Sequence, residues 1–320
     1  MTRFASGFAP RLEAMLSFRI TRGLKEDAHL RNLLRFDKFC AEHCFDSCEL
    51  TAEIVYSWLD AETKLDARGL PKKASTIRQF GLYLRAIGEN AHVLPEKFAT
   101  NASGFSPYIF TDNELAALFA EIDKLPGSKD EPFFNIIAPV LFRMIYTCGL
   151  RPNEGRELLA ENINLDTGEI MITHTKHNKD RLIVMSDDML AMCRKYKSQR
   201  AIFGTKSAYF FPAKNDGALT SAKLLAALNK AWTAAASSSF NPSPNRIRVY
   251  DLRHRFASAC LNRWLDEGRD LMVMLPYLRA YMGHGSMNET AYYIHILPEN
   301  LTKSSAIDWK IFNDMFPEVG

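Results

Sequence analysis

The sequence predicts a mainly α fold with a small antiparallel β-sheet, divided into two domains. Apolar residues recur at helical spacing over most of the chain, and one stretch between Asn162 and Met185 switches to period two. Between Ala99 and Pro107 the periodicity lapses into small polar residues with Gly and Pro, the composition of a linker. A chain of 320 residues is long enough for two domains and for a core that needs neither disulfides nor metal. With 47% hydrophobic and 24% charged residues, 16 Gly and 14 Pro, fibrous, low-complexity and disordered classes are excluded.

Upstream of the linker, four apolar stripes predict four short amphipathic helices: Leu12, Met15, Leu16 and Ile20; Leu30, Leu33, Leu34, Phe36 and Phe39; Ile54, Val55 and Trp58 behind a Thr51 cap; and Ile77, Phe80, Leu84 and Ile87. They form a small helical bundle over residues 1–105. The second domain, 106–320, opens with a capping box, Thr111-Asp-Asn-Glu114, in which hydroxyl and carboxylate satisfy each other's backbone amides. A long apolar helix follows from Pro132 to Cys148, with a kink expected at Pro139 and a stop at Gly149. Ile163 and Leu165, Ile170 and Ile172, and Leu182 and Val184 then alternate with polar residues, predicting three antiparallel strands. Turns fall at Asp166-Thr-Gly168 and His177-Asn-Lys-Asp180. Helical patterns return at 187–201, 221–236, 251–265, 271–281 and 288–296.

The chain has 40 basic and 37 acidic residues, so net charge predicts no polyanionic partner and local placement must decide it. Its N-terminal 105 residues carry 15 basic and 13 acidic side chains spread over several helices. No apolar run reaches the roughly 18 residues of a membrane span and the start lacks signal-peptide order, so a cytoplasmic protein is expected. Six cysteines are too few for a disulfide scaffold. Cys40, His43, Cys44 and Cys48 fall near one helical face, yet Cys40 continues the apolar stripe of Phe36 and Phe39, which favours buried thiols over a metal site.

Four basic or polar clusters stand at element ends in the second domain. In Thr147-Cys-Gly-Leu-Arg151-Pro-Asn-Glu154, Arg151 lies in a turn and can present a bidentate fork to phosphate, held by Glu154. Lys176 lies at a hairpin tip, Thr175-Lys-His-Asn-Lys-Asp-Arg181. Tyr250-Asp-Leu-Arg253-His-Arg255 sits at a helix N-terminus, where backbone amides also favour an anion. The last cluster runs from Met282-Gly-His284 to Tyr292-Tyr293.

In this order the clusters resemble the tyrosine recombinase (phage integrase) family, whose pattern is a Gly-Leu-Arg-x-x-Glu box, a hairpin Lys, a His-x-x-Arg box, a Gly-His box and a Tyr nine residues after that His. Arg151, Lys176, Arg253, His284 and Tyr293 match it, over about residues 110–296. One position departs, because Tyr250 stands where the family has His. His254 is one residue later than Arg253, about 100° round a helix, and is not expected to substitute for that histidine. The neighbouring Tyr292 is assigned to packing.

The resemblance implies a helical core-binding domain followed by a mixed α/β catalytic domain, the two closing around duplex DNA. Tyr293 would attack the scissile phosphate to leave a 3′-phosphotyrosine, with Arg151, Tyr250, Arg253 and His284 holding the phosphate and Lys176 as general acid. The residues suit that chemistry, since fixed cations stabilise charge on the non-bridging oxygens and a phosphotyrosine ester conserves bond energy without ATP. No cofactor, metal or small-molecule substrate is implied. The expected partner is double-stranded DNA, bound by a homotetramer on paired sites in integration, excision or transposition of a mobile element, with the protein associated with the nucleoid. Two rivals remain: relaxation of DNA in the manner of a type IB topoisomerase, and an inactive relative that binds without cutting. After Pro298 the tail carries Ile307, Trp309, Ile311, Phe312, Met315 and Phe316, expected either to fold back on its own domain or to dock on a neighbouring subunit.

Overall fold

The computed structural model describes residues 3–22, 27–43, 49–66, 69–99, 107–173, 180–239 and 247–295. The chain divides into two compact units, Met1–Phe105 and Ser106–Gly320.

The first unit contains α1 (Ala9–Thr21), α2 (Asp27–Glu42), α3 (Ala52–Asp66) and α4 (Leu70–Ala86). The predicted apolar stripes, except for exposed Ile20, Leu34 and Ile87, meet in one cluster in which Phe8, Phe36, Trp58 and Phe80 pack edge to face or tilted, with centroids 5.4 to 6.1 Å apart. The Thr51 hydroxyl accepts the Ile54 amide and starts α3. Cys40 is buried in this core, while Cys44 and Cys48 lie outside the described residues.

The second unit contains α5 (Asp112–Ile122), α6 (Phe134–Thr147), α7 (Pro152–Arg156), β1 (Glu169–Ile172), β2 (Arg181–Val184), α8 (Asp187–Arg200), α9 (Ser221–Ser239), α10 (Val249–Asp266), α11 (Leu271–Met282) and α12 (Met287–His295). The capping box at Thr111 forms, with the Thr111 amide donating to Glu114 at 2.8 Å and the Glu114 amide to the Thr111 hydroxyl at 3.3 Å. The apolar helix α6 is buried on most sides, as its near-continuous apolar sequence requires, and packs against α5, α8 and α10.

Among the described residues, the predicted three-stranded sheet is corrected to two strands. β1 and β2 pair antiparallel with Ile170 opposite Ile183, and the segment at Ile163 contributes only an isolated bridge to Ile170. Its backbone is otherwise taken up by a 3₁₀ turn at Ala160–Asn162 and by Asn164, whose side chain caps the Asp166 and Thr167 amides. The hairpin tip with Lys176 and the tail beyond His295 lie outside the described residues. Among the described residues, no helix is long and apolar enough to cross a membrane.

Candidate active site

Each site residue is placed by a helix end. Gly149, at φ +57°, ends the α6 region, and a Cβ there would lie 2.5 Å from the Phe256 ring. The chain turns through extended Arg151 into α7, where Pro152 takes the first helical position. Glu154 then accepts the Arg151 amide at 2.8 Å and the Arg151 Nη1 at 2.7 Å. The Arg151 Nη2 donates to the Gly283 carbonyl at 2.7 Å, so its guanidinium spans two loops distant in sequence.

At the start of α10, buried Asp251 accepts the Arg248 amide at 2.7 Å and fixes the first turn. This places Tyr250 and Arg253, three residues apart, on one helix face. Arg253 is fully buried, and its Nη1 and Nη2 donate to the carbonyls of Gly149 at 2.6 Å and Met282 at 2.7 Å. Its guanidinium carbon lies 6.0 Å from the centroid of the Tyr250 ring.

Gly283, at φ +65°, caps α11 and turns the chain toward α12. His284 follows, its Nδ1 2.8 Å from the hydroxyl of buried Thr290 and its ring stacked on Tyr293 at 5.9 Å. In the tautomer in which Nδ1 accepts the Thr290 hydroxyl, Nε2 carries the proton and is the free donor. Burial, then the charges of Arg253, Arg151 and Arg181, lowers the His284 pKa to about 3.

Tyr293 is buried on α12, and burial pushes its phenol above the ordinary range against the opposing charge of Arg253. Tyr292, expected to pack, is instead at the surface and 37% exposed. A rotation of about 100° between adjacent helical residues sends one ring inward and the other outward.

The structure therefore brings together Arg151, Tyr250, Arg253, His284 and Tyr293, while Lys176 lies outside the described residues. Two further groups join them. Arg181, on β2, donates both Nη atoms to Glu154 at 3.0 and 2.8 Å and its Nε to the Tyr281 carbonyl at 2.9 Å. Burial raises the Glu154 carboxyl, but hydrogen bonds and charge from Arg181, then the amide and charge of Arg151, outweigh it and hold the group at about 2. His254 is the second addition, with Nδ1 3.2 Å from the Tyr293 hydroxyl. Measured from Arg253 it is about 100° away, but measured from Tyr250, four residues back, only about 40°, so it shares the site-facing stripe.

A mostly helical unit with a small antiparallel sheet, in which two arginines, a histidine and a buried tyrosine converge from four helix ends, has the fold of a tyrosine recombinase. The chain belongs to the phage integrase family, whose model matches residues 109–300. It is 27% identical over 315 residues to the tyrosine recombinase XerD of Rickettsia conorii, covering 92% of this chain and 95% of that one. Similar solved structures are the XerH site-specific recombinase bound to palindromic difH substrate, with TM-score 0.63 at 20% identity over 88% of this chain and 79% of that chain, and the Tn1549 transposon integrase in complex with transposon right end DNA, with TM-score 0.63 at 13% identity over 96% and 99%. They share the fold.

Proposed function

We propose that the protein is a site-specific recombinase that cleaves and rejoins duplex DNA through Tyr293, serving integration, excision or transposition of a mobile element. The observation that carries this reading is the convergence of the Tyr293 phenol with His284, whose ring stacks on it, and with buried Arg253, whose guanidinium is fixed by the Gly149 and Met282 carbonyls. Fixed, desolvated cations stabilise developing negative charge, and a phosphodiester is the anion a tyrosine nucleophile attacks. Attack by Tyr293 forms a 3′-phosphotyrosine and releases a 5′ oxygen, protonated by Lys176. Arg151, Arg253, His284 and Tyr250 hold the non-bridging oxygens. The 5′ hydroxyl of a second duplex then reverses the step, two duplexes being paired by a tetramer. Double-stranded DNA is the partner, with the N-terminal unit as its core-binding domain.

The test is a nicked suicide duplex carrying the protein's own site, recovered by selecting bound duplexes from a randomised pool. Wild-type protein gives a covalent adduct and Tyr293→Phe gives none. Adduct with neither leaves a binding protein only, and relaxation of supercoiled DNA lacking paired sites gives the topoisomerase reading.

A further inference from the structure

The position that supplies a histidine in the family's Arg box is Tyr250 here, and a phenol is a poor proton acceptor at neutral pH. Yet the nucleophile is not without an imidazole. The His254 Nδ1 stands 3.2 Å from the Tyr293 hydroxyl, the ring is 5.5 Å from the Tyr293 ring centroid, and both residues are buried. Tyr250 also packs against His254, with ring centroids 5.0 Å apart.

We infer that His254 is a catalytic residue of this recombinase, the general base that accepts the Tyr293 proton as strand cleavage begins. The inference rests on the cleavage reading above and deepens it. In the Nε2–H tautomer, Nδ1 accepts the phenolic hydrogen bond. As the Tyr293 oxygen forms its bond to phosphorus, the O–H proton passes to Nδ1. The bond from phosphorus to the 5′ oxygen breaks with its electron pair going to that oxygen, which takes a proton from Lys176. Rejoining runs the same path backward, the imidazolium returning its proton to Tyr293.

The groups facing His254 are Arg248, which caps α10, Arg253 on α10, Tyr293 on α12 and His284 between α11 and α12. Burial, then Arg248 and Arg253, lowers the His254 pKa to about 4, so the free imidazole is neutral and ready to accept. A bound phosphodiester brings a negative charge against those same arginines, which offsets their pull and raises the basicity of His254 when the proton must move. The base is thereby switched on by substrate.

The test compares wild type, His254→Asn and His254→Ala for adduct formation on the selected nicked duplex, from about pH 6 to about pH 9. Asn keeps an acceptor near the Nδ1 position but cannot take a proton. Both variants are expected to bind the duplex as wild type does and to cleave about a hundredfold or more slowly at neutral pH. Their rates should climb with hydroxide as pH rises, narrowing the gap to wild type. A His254→Asn variant that cleaves at the wild-type rate, or variants slowed by one constant factor at every pH, overturns the base and leaves His254 as packing. A variant that no longer binds the duplex is replaced by His254→Gln, read against the same two outcomes. Absence of adduct from the wild type instead overturns the cleavage reading itself.

Discussion

Replacing Glu154 by Gln removes the one carboxylate that three arginines share. Its oxygens accept the Arg151 amide and Nη1 and both Nη atoms of Arg181, and Arg253 Nη1 lies 3.8 Å away. The Glu154 side chain is 8% exposed and that of Arg181 also 8%, so water screens this cluster little. A carboxyl held at about 2 instead of 4.5 contributes about 3 kcal/mol to the stability of the unit at neutral pH. That agrees with the roughly 3–5 kcal/mol expected for breaking a buried pair by removing one partner. The folded value lies below the unfolded one, so the contribution is complete above about pH 5 and is lost as pH falls toward about 2, with about 1 kcal/mol left at pH 3. Urea-dependent hydrogen exchange of the α6 amides reads the opening of this unit. Glu154→Gln should lower that opening energy by about 3 kcal/mol at pH 7 and by only about 1 at pH 3. A loss below about 1 kcal/mol at pH 7, or one independent of pH, refutes the reasoning.

Other consequences follow from the same geometry. Gly149→Ala should destabilise the second unit by at least about 2 kcal/mol, read as a fall in Tm, because a positive φ and the Phe256 ring both oppose a side chain. Arg151→Lys loses the fork that joins Glu154 to the Gly283 carbonyl and should slow adduct formation by about a hundredfold or more, while duplex affinity changes far less. Duplex binding should fall steeply and linearly in a plot of log affinity against log salt, and a flat dependence would count against phosphate contacts.

Local signals in the sequence carried most of the fold. The Thr111 capping box, the Gly149 stop and the Pro152 restart are chemistry within four residues, and each appears where its residues dictate. Alternation was a weaker guide. Ile163 and Leu165 have strand spacing, but Asn164 between them prefers a turn and its amide-capping side chain prevails. At the site, motif spacing picked out Arg151, Arg253, His284 and Tyr293, which the fold brings together. It did not reveal Arg181, whose partners lie 27 and 100 residues away and carry no spacing signal. His254 lies about 100° from Arg253 but only about 40° from Tyr250, and that four-residue spacing puts it on the helix face that meets the Tyr293 hydroxyl. Tyr292 and Tyr293 differ in burial because α12 packs one side on α10 and α11.

The central claim is that the buried member of this tyrosine pair is the residue that becomes joined to DNA. Protease digestion of the wild-type adduct, followed by mass spectrometry of the nucleotide-bearing peptide, tests it directly. The account predicts a single modified residue, Tyr293, esterified to a 3′ phosphate, with a free 5′ hydroxyl on the released strand. A nucleotide on Tyr292, or linkage through a 5′ phosphate, would contradict it.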